Sequence, residues 1–509
     1  MVFEWIARRA GPLGLCLAVA SLTLPPAMAQ VQPAGFAEAL RPRLQAGGQP
    51  VSWTLAERMD HYGVPGLAIA IIEDGEIVYL QGHGVLQVGS PDPVTPNTLF
   101  SAGSVSKIAT SALALHLAAD GRLDLDADVL SGLSTWSLPD SRDPFGSQVS
   151  LRAILSHTAG FNLHGFEDYQ PGAALPSVTE TLDGTGPAQN DALERRFEPG
   201  SRYAYSGGGF TLAQLYLSDR SGLGFEALAE AELFTPLGMD RSTFANPLPE
   251  TVGNIARAHD RSGQPTALPR GYEAMPEMAA SGLWTSAADL GRLVAQLIGG
   301  YRGEPGYLSP DMARAMMTRI APGEHGLGPR LTGTGDSFIF HHGGANDSYQ
   351  TWIEGHLVTG DGLVILTNGA QGRALINEVR NGVADTMGWN LNRPVILPER
   401  QPTASDLAGF VGTYSVDPSF PIDLRQQMVG WIFESALEFR LDDDSRLMAG
   451  RAGGDRFEPL IALTPTRFVM PGFSQTVGIA ELEFHRNALG EVTGMSFHLE
   501  NATSHYRRG

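Results

Sequence analysis

Apolar positions fall into three successive patterns along the chain. Between residues 66 and 82 a continuous run, Leu67-Ala68-Ile69-Ala70-Ile71-Ile72, meets Asp74-Gly75 and resumes at Ile77-Val78-Tyr79-Leu80. Two apolar runs separated by Asp-Gly predict two strands joined by a tight hairpin. Helical spacing then predicts helices over 104–119, 210–219, 287–298 and 373–387. Strand-like runs return at 338–341, 349–354 and 362–366. Strands at both ends with helices between them predict an α+β fold. One antiparallel sheet is built from both ends of the domain, helices flank it, and a helical lobe is inserted.

The third pattern lies beyond a stretch spaced by Pro394, Pro398 and Pro402, which reads as a semi-rigid linker over 392–404. From 405 to 509, short alternating segments recur, among them 410–414, 437–441, 467–470, 480–484 and 494–498. They predict a small antiparallel barrel or sandwich, an all-β C-terminal domain. No internal repeat or low-complexity tract interrupts the chain.

The first residues read as an address. Arg8 and Arg9 precede an apolar run from Gly11 to Leu24, followed by Ala27-Met28-Ala29. That order predicts an export signal over 1–29, cleaved after Ala29, for a periplasmic or secreted protein. The run is too short for a helix to cross ~30 Å of hydrocarbon, and no later segment approaches a span. The remaining division is a catalytic domain over 30–391, the linker over 392–404 and the β domain over 405–509.

Composition narrows the function classes. The 509 residues carry 55 acidic and 35 basic side chains, a formal charge of −20, which argues against a nucleic-acid binder. Cys16 is the only cysteine and falls in the export signal, so neither disulfides nor thiolate metal sites hold the exported chain.

All but one of the 35 basic residues are arginines, and the exception is Lys107. Arginine keeps its proton, whereas a buried lysine can release one and act as a base. On the predicted helix, Ser104 and Lys107 lie three residues apart and share a face. A hydroxyl beside an amine at a helix N-terminus is the arrangement that activates a serine nucleophile. Taken alone, S-x-x-K is weak evidence.

The surrounding segments strengthen it. Ser104-Val105-Ser106-Lys107 resembles the S-x-x-K motif of serine β-lactamases and penicillin-binding proteins. The 64–79 hairpin, 120–128, Leu151-Arg-Ala-Ile-Leu-Ser-His157-Thr-Ala-Gly160 and 281–290 are similar to segments of the class C β-lactamase-related branch. Tyr205-Ser206-Gly207 resembles its Y-x-N motif, and His342-Gly343-Gly344-Ala345 lies where K-T-G is found. The resemblance covers roughly 56–389. It implies a β-lactamase/transpeptidase-like fold with a lipocalin-like C-terminal appendage.

It also implies a site between sheet and lobe. Ser104 would be the nucleophile, Lys107 its base, and Tyr205 a proton shuttle. The N–H groups of Ser104 and Ala345 would form the oxyanion hole, with His342, Gly343, Gly344 and Gly207 against the substrate. Of the adjacent His341 and His342, only one can face the site, since neighbours on a strand point to opposite faces. His342 is chosen because glycines follow it and let backbone approach a substrate. His157 and His164 lack the spacing and acidic partner of a metal motif, and His157 reads as a turn residue.

Two departures matter. Gly207 removes the amide of Y-x-N, and His342 replaces the K-T-G lysine that holds carboxylates. Both favour an esterase or D-amino-acid-specific peptidase over a β-lactamase or peptidoglycan D,D-carboxypeptidase, and a non-catalytic binding or scaffolding role is a further alternative. The implied substrate is a small molecule or short peptide, with no cofactor or metal. Oligomeric state is left open.

Overall fold

The computed structural model describes residues 33–46, 51–169, 172–249, 251–266, 274–323, 325–397, 402–419, 436–471, 480–499 and 502–509. The export signal expected over 1–29 lies outside them. A six-stranded antiparallel sheet organises the first part of the chain. Its strands are β1 (Gly66–Glu73), β2 (Glu76–Gly84), β3 (Arg330–Thr332), β4 (Ile339–Ala345), β5 (Gln350–His356) and β6 (Gly362–Thr367), in the order β2-β1-β6-β5-β4-β3. The two ends of the domain meet where Leu67 pairs with Thr367 and Ile72 with Gly362. The hairpin turns through Asp74 (φ 48°) and Gly75 (φ 82°), two positive angles that match the twist of the strands.

The chain has four long helices, α1 (Ser106–Ala119), α2 (Gly207–Ser221), α3 (Ala287–Arg302) and α4 (Gly372–Thr386), of which α3 and α4 pack on the sheet. Strand β1 is buried from Gly66 to Ile72 because both of its faces are covered. Leu67, Ile69 and Ile71 join Leu375, Val379 and Val383 of α4, whereas Ala68, Ala70 and Ile72 join Leu290, Leu293 and Val294 of α3. Burial on both sides explains why the run is continuous rather than alternating. Each buried Leu or Ile contributes roughly 1.5–3 kcal/mol through removal from water. Helices α1 and α2 are buried around most of their surface and form the middle of the inserted lobe.

Beyond the lobe, nine antiparallel strands run β7 (Gly412–Val416), β8 (Leu437–Leu441), β9 (Leu447–Arg451), β10 (Phe457–Pro459), β11 (Ile461–Ala462), β12 (Arg467–Val469), β13 (Ala480–Arg486), β14 (Val492–Leu499) and β15 (Ala502–Arg508). Their order is β10-β9-β8-β7-β15-β14-β13-β12-β11. The two edge strands are joined by Leu460 alone, so the sheet curls until its edges adjoin, a nearly closed barrel. Ala480, Leu482 and Phe484 point inward to Phe410, Tyr414, Phe439 and Phe468, while Glu481 and Glu483 point out. Part of the proline-spaced stretch is strand: Val395–Leu397 pairs in parallel with Leu44–Ala46. Leu397 also packs on Val469 of the barrel, because its apolar side chains find partners that a free spacer lacks.

Candidate active site

Ser104 sits in a tight turn, Gly103–Val105, that feeds directly into α1. Hydrogen bonds tie the residues around it to β5 and to Leu283. The Ala102 carbonyl accepts from Thr351 Oγ1 at 2.9 Å, and the Ala102 N–H donates to the Leu283 carbonyl at 2.8 Å. Ser106 Oγ donates to the Gly103 carbonyl (2.6 Å) and accepts from the Leu283 N–H (2.9 Å). Gly103 has φ +51°, and a Cβ there would stand 2.8 Å from the Ala345 nitrogen. A Cβ on Gly344 would stand 1.9 Å from the Ala102 carbonyl oxygen. The serine turn and the end of β4 therefore touch backbone to backbone, an approach that only glycine permits.

Lys107 is 1% exposed and Ser104 half-buried. The lysine Nζ donates to the Ala280 carbonyl at 2.7 Å and to Ser104 Oγ at 3.2 Å. It also lies 5.0 Å from the centre of the Tyr205 ring and 5.6 Å from that of Phe210. Tyr205 comes from the lobe, just before α2, whose N-cap Ser206 accepts from the Gly209 N–H. The sequence-predicted trio is thus assembled from two distant segments, 104–107 and the stretch that ends in α2.

Strand β3 pairs with Ile339–His341 of β4, so that pairing ends where His342 begins. His341 and His342 do face opposite ways. His341 stacks on Trp352 at 5.0 Å, whereas His342 faces Tyr205 with ring centres 6.3 Å apart. The His342 Nδ1–H donates to the Gly343 carbonyl at 2.7 Å, which leaves Nε2 as an acceptor, buried and without a partner among the described residues. Burial, and after it the Lys107 charge, hold His342 well below the ordinary imidazole range. Burial pushes His341 down to about 3. Both rings are neutral near pH 7.

Gly207 begins α2 and is buried. A Cβ there would lie 3.0 Å from the Phe166 ring and 3.2 Å from the His164 carbonyl. The His164 carbonyl and the Phe166 ring occupy the space beside the position of the Y-x-N side chain, and the Gly207 N–H donates to the His164 carbonyl. Gly343 backs onto the Arg373 guanidinium on the opposite face of β4.

Several neighbours escaped the sequence reading. Tyr205 is packed against His157 (4.2 Å between ring centres), His164 (4.8 Å) and His325 (6.0 Å). His325 Nδ1–H donates to the Gly328 carbonyl, and its Nε2 accepts from the Tyr203 hydroxyl at 2.9 Å. Neither His325 nor the Ala280 carbonyl carries a local motif, so no spacing rule could have found them. Among the described residues no group of three or more His, Cys, Asp or Glu is placed to hold a metal.

The Beta-lactamase family model matches residues 52–384. The chain is 30% identical over 246 residues to a beta-lactamase of Pseudomonas fluorescens, covering 48% of this chain and 62% of that protein. It is 25% identical over 385 residues to penicillin-binding protein 4 of Amycolatopsis lactamdurans, covering 72% and 97%. It is 31% identical over 192 residues to a D-aminopeptidase of Gluconobacter oxydans, covering 36% and 33%. In two of these three, then, the chain spans less than two thirds of its relative's length. The octameric penicillin-binding protein homologue of Pyrococcus abyssi shares the fold with a TM-score of 0.55 at 21% identity, over 89% of this chain and 98% of that one. The chain belongs to the Beta-lactamase family and is a serine hydrolase.

Proposed function

We propose that the protein is an exported hydrolase of esters, or of amides in short peptides that contain D-amino acids, and that it works through an acyl-enzyme on Ser104. One observation carries the reading: the chain's only lysine, buried, lies 3.2 Å from Ser104 Oγ. Lys107 accepts the Ser104 proton, directly or through Tyr205, as Oγ attacks the substrate carbonyl carbon. The N–H groups of Ser104 and Ala345 meet the resulting oxyanion. The proton then passes to the leaving alcohol or amine. Water attacks the acyl-enzyme, which restores the Ser104 hydroxyl and releases the acid.

The substrate class rests on His342. Its free Nε2 presents a lone pair, which suits an N–H or O–H donor and repels the carboxylate of a β-lactam or a peptidoglycan stem. The D-aminopeptidase relative supports the amide branch. The beta-lactamase and penicillin-binding protein relatives support β-lactamase or D,D-carboxypeptidase activity as the second reading. Export is supported by the 1–29 pattern. The C-terminal barrel is proposed as a packing or gating domain.

Intact-protein mass after fluorophosphonate treatment tests the reading. Wild type should gain one adduct and Ser104→Ala none; no adduct on either would favour the non-catalytic alternative. Prior incubation with a phenyl ester, a D-amino amide or a penicillin identifies the class by which one suppresses labelling. Lys107→Arg keeps charge and reach but cannot release a proton, so labelling should fall by at least about 10²-fold. A rate within about tenfold of wild type would rule out the lysine base.

A further inference from the structure

We infer that His157 is a positioning residue that sets Tyr205 in the site, an inference that rests on the proton-shuttling part proposed above for Tyr205. Tyr205 lies in irregular chain between Gly200 and α2, so no element of its own fixes its direction. His157 supplies the constraint from another segment. Its carbonyl accepts from the Ala204 N–H at 2.8 Å, and its ring Nδ1 accepts from the Ser206 N–H at 3.1 Å. These two bonds bracket Tyr205, one on each side. The imidazole itself lies on the phenol ring, with centres 4.2 Å apart and planes tilted by 31°.

A residue that merely closes a turn has no need of this arrangement. His157 adopts φ +59°, a left-handed conformation uncommon outside glycine and taken up mainly by asparagine, aspartate and histidine. In that conformation the carbonyl and the ring nitrogen of one residue reach the same segment. The ring's other nitrogen, Nε2, is buried and has no partner among the described residues, so the side-chain hydrogen bonding seen there is directed at the residue after Tyr205. Because Nδ1 accepts, the ring is neutral with its proton on Nε2. Thr158 continues the match: its carbonyl accepts from the Gly200 N–H at 2.8 Å. At the far side, Ser206 caps α2 and donates to the Asn162 carbonyl, so the clamp is anchored to a helix. Fixing a catalytic group in this way matters because a misplacement of about 1 Å can lower rates by roughly 10²-fold.

The test separates an effect through Tyr205 from general damage. The variants are His157→Leu, His157→Asn, His157→Gln, Tyr205→Phe and the Leu/Phe double variant. Each is read by fluorophosphonate labelling of Ser104, by kcat/KM for p-nitrophenyl acetate, and by Tm. Asparagine places Oδ1 where Nδ1 was and tolerates the left-handed backbone. Glutamine carries its oxygen one bond further out and leaves the Ser206 N–H unpaired.

Tyr205→Phe should lower both rates by roughly 10²-fold or more. His157→Leu and His157→Gln should lose roughly 10²-fold, and His157→Asn should stay within about fivefold of wild type. The double variant should match Tyr205→Phe to within about threefold, because one variant removes what the other positions. Wild-type rates in the Leu or Gln variant, an Asn variant as slow as the Leu variant, or fully multiplicative losses would each overturn the inference. Should the Leu variant fail to fold, the Asn and Gln pair decides. A Tyr205→Phe protein at wild-type rate would instead refute the role of Tyr205 itself.

Discussion

Replacing Glu277 by glutamine should reverse a pH-dependent loss of stability. Glu277 is 0% exposed, and neither carboxyl oxygen has a hydrogen-bond partner among the described residues. Burial, reinforced by the Asp168 charge, pushes its carboxyl from 4.5 up to about 8. Between those values the unfolded chain has released a proton that the folded chain keeps, so rising pH favours unfolding. The contribution is intact below pH 4.5 and lost as pH rises through 8. Integrated between about pH 5 and pH 9, the loss is about 4 kcal/mol. Glutamine has no proton to release, so urea unfolding across that range should show the variant gaining about 4 kcal/mol on wild type by pH 9. Activity should follow on the alkaline side. The Glu277 carbonyl accepts from the Ala280 and Ser281 N–H groups, and the Ala280 carbonyl holds Lys107. A difference between the two proteins that stays constant to within about 1 kcal/mol over the range would refute the reasoning.

Two further substitutions probe the approach of β4 and the lobe. Gly344→Ala places a Cβ 1.9 Å from the Ala102 oxygen, backbone against backbone, so β4 must withdraw from the serine turn. Fluorophosphonate labelling should fall by roughly 10²-fold as Ala345 N–H moves away, and chemical denaturation should show a loss of about 1–3 kcal/mol. Gly207→Asn restores the Y-x-N side chain but meets Phe166 at 3.0 Å. Nitrocefin turnover should stay at the wild-type level in Gly207→Asn and rise by about tenfold only when Phe166→Ala clears the space, a coupled effect of two touching residues.

Much of this was legible in the sequence where local chemistry dictates the outcome. The Asp74-Gly75 hairpin, the meeting of a serine and a lysine three residues apart, and the opposed faces of His341 and His342 all follow from short-range geometry, although the helix expected from Ser104 begins only at Ser106. Strand ends were less legible. The run ending at His341 continues through Gly343 and Gly344 to Ala345, because pairing with β5 overrides the poor strand preference of glycine. In the barrel, β9, β10, β11 and β15 were missed; two of them are only three and two residues long, too short to show a period. The environment of Tyr205 was illegible for a different reason. His157 and His164 reach it from one loop and His325 from another, and Ala280 acts through a carbonyl that every residue possesses.

The central sheet has a consequence for biosynthesis. Strand β1 is apolar on both faces, yet its partner β6 begins at Gly362, nearly three hundred residues later. At a synthesis rate of roughly 5–20 residues per second, the hairpin waits about 15–60 s with one edge open. During that interval the edge can pair with another chain as readily as with its own. The first half of the protein therefore cannot finish folding until Thr367 has been made, and for that interval the open edge of β1 faces neighbouring chains.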